Sequence, residues 1–332
     1  MDICTVEVTR GGRVESRHAV QVVLIDAEGS GQAWGDPDRP TMARSAVKAF
    51  QALPLVATGA ADEIGLSVEE LALACASHSG EPNQVAGVES VLARIGCSAA
   101  DLECGTAPPL GEEPARDWIR AGCPSRPLVH CCSGKHAGVL ATAVHHRERV
   151  IGYIAPDHPA QQRVTAALAA VTRVPLTAPP GVDGCGFPVH TVALSALARG
   201  MARLVEPSRL PAELAAAAPR IVAAARLGYW VSGPGRYEAL TQAAAERPVL
   251  IKSGAEGVML GALPGPRLGF ALKAEDGAPR AVEAATSALL ARLGVLSTAA
   301  HQGEPAPIRN AAGVTVGEVR ARLDSIRARS LP

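Results

Sequence analysis

Residues 42–53 read MARSAVKAFQAL, and within this segment Ser45 and Lys48 have the spacing Ser-x-x-Lys. The segment is rich in Ala and has no internal Gly or Pro, so it predicts a helix. Residues three apart share one face of a helix, which would bring the Lys48 amine within reach of the Ser45 hydroxyl. A serine needs a base to act as a nucleophile, and a neutral lysine amine can be that base. Four-residue patterns also arise by chance, so the pair needs support from elsewhere in the chain.

A second lysine motif supplies that support about 200 residues downstream, in the segment ERPVLIKSGAEGV. Residues 249–251 are apolar and predict a buried strand that ends at the KSG of residues 252–254. Lys-Ser/Thr-Gly at the end of a strand accompanies Ser-x-x-Lys in penicillin-recognising serine enzymes. The two motifs together predict a serine hydrolase.

Lysine is rare in this chain. Only Lys48, Lys135, Lys252 and Lys273 occur among 32 basic residues, and the others are arginine. Arginine keeps its proton in proteins, whereas lysine can be tuned to act as a base or a ligand. We interpret Lys273, in the strand-like GFALKAEDG, as an ordinary residue and treat the other three as candidates for chemistry.

Composition and charge narrow the class of partner. The 332 residues carry 32 basic and 32 acidic groups, so the charge predicts neither nucleic acid nor a membrane surface as a partner and leaves a small molecule. The first residues carry charges where a signal peptide needs an apolar core, and no stretch is apolar over 18 residues. We therefore expect a cytoplasmic protein. In that compartment the eight cysteines should be thiols or metal ligands rather than disulfides.

The pattern of elements predicts a mixed α/β (α+β) fold in one catalytic unit, residues 1–332. Both chain ends should supply an antiparallel sheet, at about 1–40 and 246–332, while about 41–245 should form a mostly helical lobe. The predicted strands are CTVEVTRGG, AVQVVLIDAEG, VLIKSG, GVMLGAL and RLGFALK. A late helix, RAVEAATSALLARLG, should cover one face of the sheet. GTAPPLGEEPARD and AAHQGEPAPIRN are predicted to be loops.

Seven segments together resemble one family. VEVTRGGRVESRH, RSAVKAFQALP, SHSGEP, CSGKHAG, GVDGCGFP, IKSGAEGV and DGAPRA are similar to segments of the asparaginase II family, the Rhizobium-type L-asparaginases, over about residues 5–320. The resemblance implies a serine β-lactamase-like fold of the penicillin-binding type. It also implies hydrolysis of L-asparagine to L-aspartate and ammonia by two Ser-Lys pairs beside a zinc site. We further expect a homodimer.

The resemblance assigns catalytic roles to four residues. It pairs Ser45 with Lys48 and Ser77 of SHSGEP with Lys252. We expect Ser45 to be the nucleophile, Lys48 its base, and the second pair a proton relay. From the residues alone, Ser77 would be read as a turn serine.

The implied zinc ligands are Cys132, Lys135 and Cys185, with the fourth position left to water, as in catalytic zinc sites. From the residues alone, the cysteines would be buried thiols and Lys135 an anion-binding residue. The motif places Cys132, not its neighbour Cys131, at the ligand position. His130, Cys131 and Gln84 depart from the family pattern and could alter contacts around the site.

Free asparagine carries two charges that the site must bind. Its α-carboxylate needs cations or N–H donors, and its α-ammonium needs a carboxylate. Candidates for the carboxylate are Arg44, His136, Gly254 and Ala255, and candidates for the ammonium are Asp183 and Glu81. Asp183 is preferred because it lies two residues from Cys185, whereas Arg44 and Glu81 could instead form a structural ion pair. Backbone N–H groups near Ser45 should form the oxyanion hole.

Three other functions are compatible with the residues. A β-lactamase or penicillin-binding enzyme would share both lysine motifs but needs no zinc motif. A non-catalytic protein of the same fold would bind metal or amino acid without releasing ammonia. A cysteine hydrolase based on Cys185 or Cys132 is least favoured, because neither has an obvious His-Asp support.

Overall fold

The computed structural model describes residues 3–124, 126–297 and 306–323. The strands of this part of the chain are β1 Cys4–Arg10, β2 Arg13–Ile25, β3 Gly31–Trp34, β4 Pro40–Met42, β5 Gly181–Val182, β6 Pro188–Val189, β7 Thr191–Ala193, β8 Leu250–Gly254, β9 Val258–Leu263, β10 Leu268–Ala274, β11 Ala306–Arg309 and β12 Thr315–Arg322. The α-helices are α1 Lys48–Gln51, α2 Leu53–Ala57, α3 Ala60–Glu63, α4 Val68–Ala74, α5 Pro82–Arg94, α6 Glu112–Arg120, α7 Ser133–His145, α8 Pro159–Thr172, α9 Leu194–Val205, α10 Ala212–Ala225, α11 Gly228–Val231, α12 Tyr237–Ala244 and α13 Pro279–Arg292. Short 3-10 helices cover Arg44–Val47, Ala99–Asp101, Pro127–Val129 and Pro207–Arg209.

The chain divides into two compact units. Unit 1 contains the described residues of Met1–Ala46, Thr191–Glu206 and Leu240–Pro332, and unit 2 contains those of Val47–His190 and Pro207–Ala239. The interpretation of residues 1–332 as one catalytic unit stays a prediction. The boundaries place α9, in the middle of the chain, with the sheet formed by the chain ends.

Unit 1 is built on an antiparallel sheet. Among the described residues it has eight strands in the order β11-β12-β1-β2-β10-β9-β8, with β3 also paired to β2. The five strands predicted from the two chain ends are confirmed as β1, β2, β8, β9 and β10. Residues 13–17 of β2 alternate between exposed and half-buried, whereas every residue of β9 is buried. Because successive side chains of a strand point to opposite faces, complete burial of β9 means that both of its faces are covered.

Two helices cover this sheet. The helix α9 packs on β2, β9 and β10, and α13 packs on β1, β2, β9, β10 and β12. The predicted late helix is thus confirmed as α13. At Gly269 of β10 the backbone of α9 approaches so closely that a Cβ would lie 2.0 Å from the carbonyl oxygen of Ala198, so only glycine fits there. The mixed α/β class with a sheet from both chain ends is confirmed.

Unit 2 is mostly helical, as predicted, and α7 lies at its centre. The residues of α7 from Ser133 to Ala143 are buried, and the helix contacts α2, α3, α4, α5 and α8. Gly134 and Gly138, one turn apart, face α4: a Cβ at Gly134 would lie 2.3 Å from the carbonyl oxygen of Leu73, and one at Gly138 would lie 3.1 Å from the Cβ of Ala74. The glycines of CSGKHAG therefore allow two helices to pack closely. Of the helices in the described residues, none combines the length and the apolar character needed to cross a bilayer.

Three predicted segments need correction. Residues 44–47 form a 3-10 helix before α1 rather than one α-helix with it, and Arg44 enters it with a left-handed φ of 49°. The predicted loop GTAPPLGEEPARD ends at residue 111, because Glu112 and Glu113 favour a helix N-terminus and pair with Arg116 in α6.

The third correction concerns AAHQGEPAPIRN, also predicted to be a loop. Its Ala306–Arg309 is the strand β11, which pairs with β12 at the edge of the sheet, where Pro307 is tolerated. The preceding residues 299–305 of that loop lie outside the described residues.

Candidate active site

The candidate site in unit 2 lies where α4 ends and α7 begins. Close packing of these helices at Gly134 brings the segment after α4, which carries Ser77, next to the segment before α7, which carries Cys132. Backbone hydrogen bonds fix this junction, since the His78 N–H donates to Cys131 O at 3.1 Å and the Ser77 N–H donates to Val231 O at 2.9 Å. The two motifs SHSGEP and CSGKHAG therefore form one structural unit.

Lys48 contacts both segments. Its side chain is fully buried, and its Nζ donates hydrogen bonds to Ser77 Oγ at 2.9 Å, to Cys132 Sγ at 3.1 Å and to the carbonyl oxygen of Ala76. Burial lowers the pKa of Lys48, but the negative charges of the neighbouring thiols raise it by more, so this pKa lies above its usual value.

Three cysteine thiols surround this amine. The Cys131 and Cys185 thiols donate hydrogen bonds to the Cys132 sulfur, which together with the charge of Lys48 hold the pKa of Cys132 far below its ordinary value. The pKa of Cys185 is raised, because its thiol donates to Cys132 and is buried. Cys132 is therefore the most acidic of the three thiols, and Cys131 and Cys185 favour its charged form.

The three implied zinc ligands converge in this cluster. Lys135 Nζ lies 3.0 Å from Cys185 Sγ, and Cys185 in turn donates to Cys132. All three side chains are at most 5 % exposed. Two thiolate sulfurs and an amine in a dry environment suit zinc, and Phe187, whose ring centroid lies 3.8 Å from Lys135 Nζ, closes one side. The donor set therefore fits the metal that the resemblance implies.

His78 is a buried neutral histidine next to Ser77. Its Nδ1 accepts the N–H of Gly80 at 3.1 Å, and its Nε2 lies 2.8 Å from Ser133 Oγ, whose own hydroxyl donates to Leu128 O. These partners place the imidazole proton on Nε2. Burial and the charge of Lys48 lower the pKa of His78 to about 3. His78 therefore positions the Ser77 segment as an uncharged donor.

His136, a predicted contact of the substrate carboxylate, is fully buried. Its Nδ1 lies 2.5 Å from Tyr153 Oη, which already accepts the N–H of Glu103, and its ring packs on Phe187. Burial and the charge of Lys135 hold its pKa well below the usual value. Among the buried polar atoms of the described residues, His136 Nε2 is one that has no hydrogen-bond partner. The predicted role stays a prediction, with a neutral N–H rather than a charge as the group that could bind.

The two candidate ammonium ligands occupy turns in unit 2. Asp183 is half-buried in the hairpin between β5 and β6, where its carboxylate accepts the N–H of Gly184 at 2.7 Å. Glu81 caps α5 together with Gln84, whose Oε1 accepts the N–H groups of Gly80 and Glu81. Burial and the charge of Glu113 raise the pKa of Glu81. Capping thus accounts for Gln84, and the roles of Asp183 and Glu81 toward substrate stay predictions.

Unit 1 holds the remaining candidates. Lys252 is buried in β8 and donates to the carbonyl oxygen of Ser253 at 2.9 Å. A Cβ at Gly254 would lie 2.4 Å from Ala43 O and 3.2 Å from Ala46 N. The KSG strand therefore lies directly against the turn that contains Ser45. Arg44 and Ser45 are half-buried in this turn, while Ala255 is exposed in the turn after β8.

The sequence-based interpretation missed two features. One is a hydrogen-bonded Ser-Lys pair, Ser77 with Lys48, while the predicted pairs Ser45 with Lys48 and Ser77 with Lys252 stay predictions. The second missed feature is a possible metal-ligand group of His130, Cys131 and Cys132, whose ligand atoms lie within 4.8 Å of one another. Adjacent cysteines before a lysine-containing helix could have signalled this group.

Solved structures that match the chain include β-lactamases and a probable glutaminase. A β-lactamase (Mb2281c) from Mycobacterium bovis matches with 14% identity and a TM-score of 0.41, covering 83% of this chain and 95% of its own. A class C β-lactamase from Rhodobacter sphaeroides matches with 18% identity and a TM-score of 0.40, covering 88% and 95%. A probable glutaminase from Bacillus subtilis, complexed with 6-diazo-5-oxo-L-norleucine, matches with 13% identity and a TM-score of 0.37, covering 82% and 83%.

Among curated proteins, none matches the chain significantly. The family model described as L-asparaginase II matches residues 6–321. This range contains both lysine motifs, the thiol cluster and Ser77. Because the match extends over nearly the whole sequence, the chain belongs to the L-asparaginase II family.

Proposed function

We propose that this chain is an L-asparaginase that hydrolyses L-asparagine to L-aspartate and ammonia. Family membership supports amide hydrolysis as the reaction class. The observation that carries the proposal is the buried hydrogen bond of 2.9 Å between Lys48 Nζ and Ser77 Oγ. A buried amine in contact with a serine hydroxyl can pass protons to and from that hydroxyl, which is the relay role proposed below for Ser77.

In the proposed reaction, a serine oxygen attacks the side-chain amide carbon of asparagine. The bond from oxygen to carbon forms, the serine proton passes to a lysine amine, and that amine returns it to the leaving nitrogen as the C–N bond breaks. Ammonia leaves and a β-aspartyl ester remains on the serine. Water then hydrolyses the ester, giving aspartate and the free serine. We propose Ser45 as the nucleophile, Lys48 as the base, and Ser77 and Lys252 as the proton relay.

We propose that Cys132, Lys135 and Cys185 hold zinc. Bound there, zinc would supply positive charge that offsets the thiolates around Lys48. Among the chain's own residues, the Cys131 thiol lies beside Cys132 and can donate to its sulfur, and Phe187 packs over the Lys135 amine and keeps water from it.

Recognition of the amino-acid part of the substrate is proposed for six groups. The orphan Nε2 of His136 supports its assignment to the α-carboxylate, because a buried N–H without a partner gains a full hydrogen bond on binding an anion. Arg44 and the backbone of Gly254 and Ala255 are proposed to assist there, and Asp183, with Glu81 second, to bind the α-ammonium. We also propose a cytoplasmic homodimer, which light scattering on the purified chain tests for its oligomeric state.

A coupled ammonia assay tests the proposal on asparagine, glutamine and dipeptide amides, each with and without added zinc. We expect release of ammonia from asparagine and loss of that activity in Ser45→Ala, with the variant still folded by circular dichroism. Trapping the ester by acid quench and mapping it by mass spectrometry would distinguish Ser45 from Ser77. Hydrolysis of a chromogenic cephalosporin without ammonia release would favour a β-lactamase, and amino-acid binding without turnover would favour a non-catalytic protein.

A further inference from the structure

The thiol of Cys131 lies at the distance from Cys132 that a shared metal ion requires. The two sulfurs are 3.8 Å apart. In a tetrahedral zinc site with Zn–S bonds of about 2.3 Å, two sulfur ligands are separated by about 3.8 Å. The two thiols of this turn could therefore bind one zinc ion with little movement.

The backbone of this turn is fixed before any metal binds. The Cys131 carbonyl accepts the His78 N–H at 3.1 Å, and the Ser133 N–H donates to His130 O at 2.9 Å. Cys132 is the N-cap of α7, which is anchored on α4 through Gly134. Cys131 is therefore held beside Cys132 by contacts that do not involve its thiol.

His130 is the competing ligand in this group, and its hydrogen bonding argues against it. Its Nδ1 accepts the N–H of Cys132 at 3.0 Å, so in the neutral ring the proton lies on Nε2. A protonated ring nitrogen has no lone pair for a metal.

We propose that Cys131 is a fourth zinc ligand, which with Cys132, Lys135 and Cys185 closes the site with three sulfurs and one nitrogen. This inference rests on the zinc site of the proposed function and departs from the three-ligand site implied by the family resemblance. Four protein ligands are the pattern of structural zinc, whereas a catalytic zinc keeps a position for water. The ion would then join the start of α7 to the hairpin that carries Cys185, rather than activate water.

The test uses the full-length protein loaded with zinc or with cobalt(II), whose thiolate charge-transfer absorption reports the number of sulfur ligands. Cys131→Ser should lose about a third of that absorption, because one of three sulfur ligands is removed. It should also release zinc to a competing chelator at least about tenfold faster, since even residues that only contact the ligands change metal affinity by that factor. Cys97→Ser is the matched control, because Cys97 is a half-buried thiol of the same unit, and it should match the wild type. Equal absorption and equal zinc release in Cys131→Ser and wild type would overturn the proposal.

A second measurement avoids the chance that the variant misfolds. In the wild-type protein, bound zinc should protect Cys131 from alkylation, while the exposed Cys123 still reacts. Alkylation of Cys131 at the same rate with and without zinc would refute its role as a ligand. A wild-type protein that binds no zinc would overturn both this inference and the proposed metal. Ammonia release by that same metal-free protein would show separately that the proposed amide hydrolysis stands.

Discussion

Substitution of Gly134 by alanine tests whether the packing of α7 on α4 sets the site. The new Cβ would lie 2.3 Å from the carbonyl oxygen of Leu73, 2.8 Å from its carbonyl carbon and 3.0 Å from its Cβ. Two of these atoms belong to the backbone, which cannot rotate away. Restoring an ordinary contact of about 3.4 Å therefore requires the two helices to separate by about 1 Å.

Two opposing terms set the magnitude for Gly134→Ala. Alanine favours a helix over glycine by about 1 kcal/mol, whereas overpacking of this kind costs about 1–3 kcal/mol, and a clash with backbone belongs at the upper end. We expect a net loss of about 2 kcal/mol in the free energy of unfolding. Because Ser77 follows α4 and Cys132 precedes α7, a shift of about 1 Å should also lower kcat/KM for ammonia release by about 100-fold.

Two further alanine variants, in which the new Cβ has more space than at Gly134, serve as comparisons. At Gly138 the nearest atoms are side-chain carbons at 3.1 and 3.2 Å, so the cost should be small and largely offset by helix propensity. At Gly265, in the hairpin between β9 and β10, nothing lies within 4 Å of the new Cβ, and no change is expected. Thermal unfolding and the ammonia assay on all three variants give the comparison. Wild-type stability and activity in Gly134→Ala would refute the idea that this helix contact positions the site.

Three more predictions concern substitutions of single residues. Lys48→Arg should lower kcat for ammonia release by at least about 100-fold, because arginine keeps its proton; Lys273→Arg should leave it unchanged, since that amine donates to backbone carbonyls. Gly254→Ala should lower both stability, by about 1–3 kcal/mol, and ammonia release, because its Cβ would lie 2.4 Å from Ala43 O; wild-type behaviour would contradict this. The pKa of His78 is about 3 in the folded protein and 6.5 in the absence of structure. Between these two pH values the unfolded chain binds more protons than the folded chain, so the free energy of unfolding decreases as the pH falls below about 6.5. Between pH 7 and pH 5 the wild type should lose about 2 kcal/mol more unfolding free energy than His78→Gln, and equal losses in urea titrations would disprove it.

Local sequence patterns predicted much of the fold because they report local physics. The alternation and the apolar runs located the five strands of the two chain ends, and the period of apolar residues located α13 and the mostly helical character of the middle of the chain. One miss lies where pairing with a distant segment decides the structure. Ala306–Arg309 is a strand because β12 pairs with it, and the sequence of the segment, with its proline, gives no sign of that partner.

The hydrogen bond between Lys48 and Ser77 could not be predicted from the sequence. Ser-x-x-Lys spacing assigned Lys48 to the nearest serine along the helix, whereas the observed hydrogen bond is to Ser77, 29 residues away. That contact depends on how α4 and α7 pack, which a four-residue motif cannot contain. The high pKa of Lys48 has the same origin, since it is set by thiols from residues 131, 132 and 185.

The scarcity of lysine was nevertheless a signal with a physical basis. Lys48 and Lys135 each place the amine within 3.1 Å of a cysteine sulfur. A guanidinium could form an ion pair with these thiolates, but it cannot release a proton to become a base or a zinc ligand. Lys273 contacts only backbone carbonyls among the hydrogen bonds described for it, a role that arginine can also fill. Lysine at positions 48 and 135 therefore fits the proposed roles of base and zinc ligand, because both roles need an amine that can become neutral.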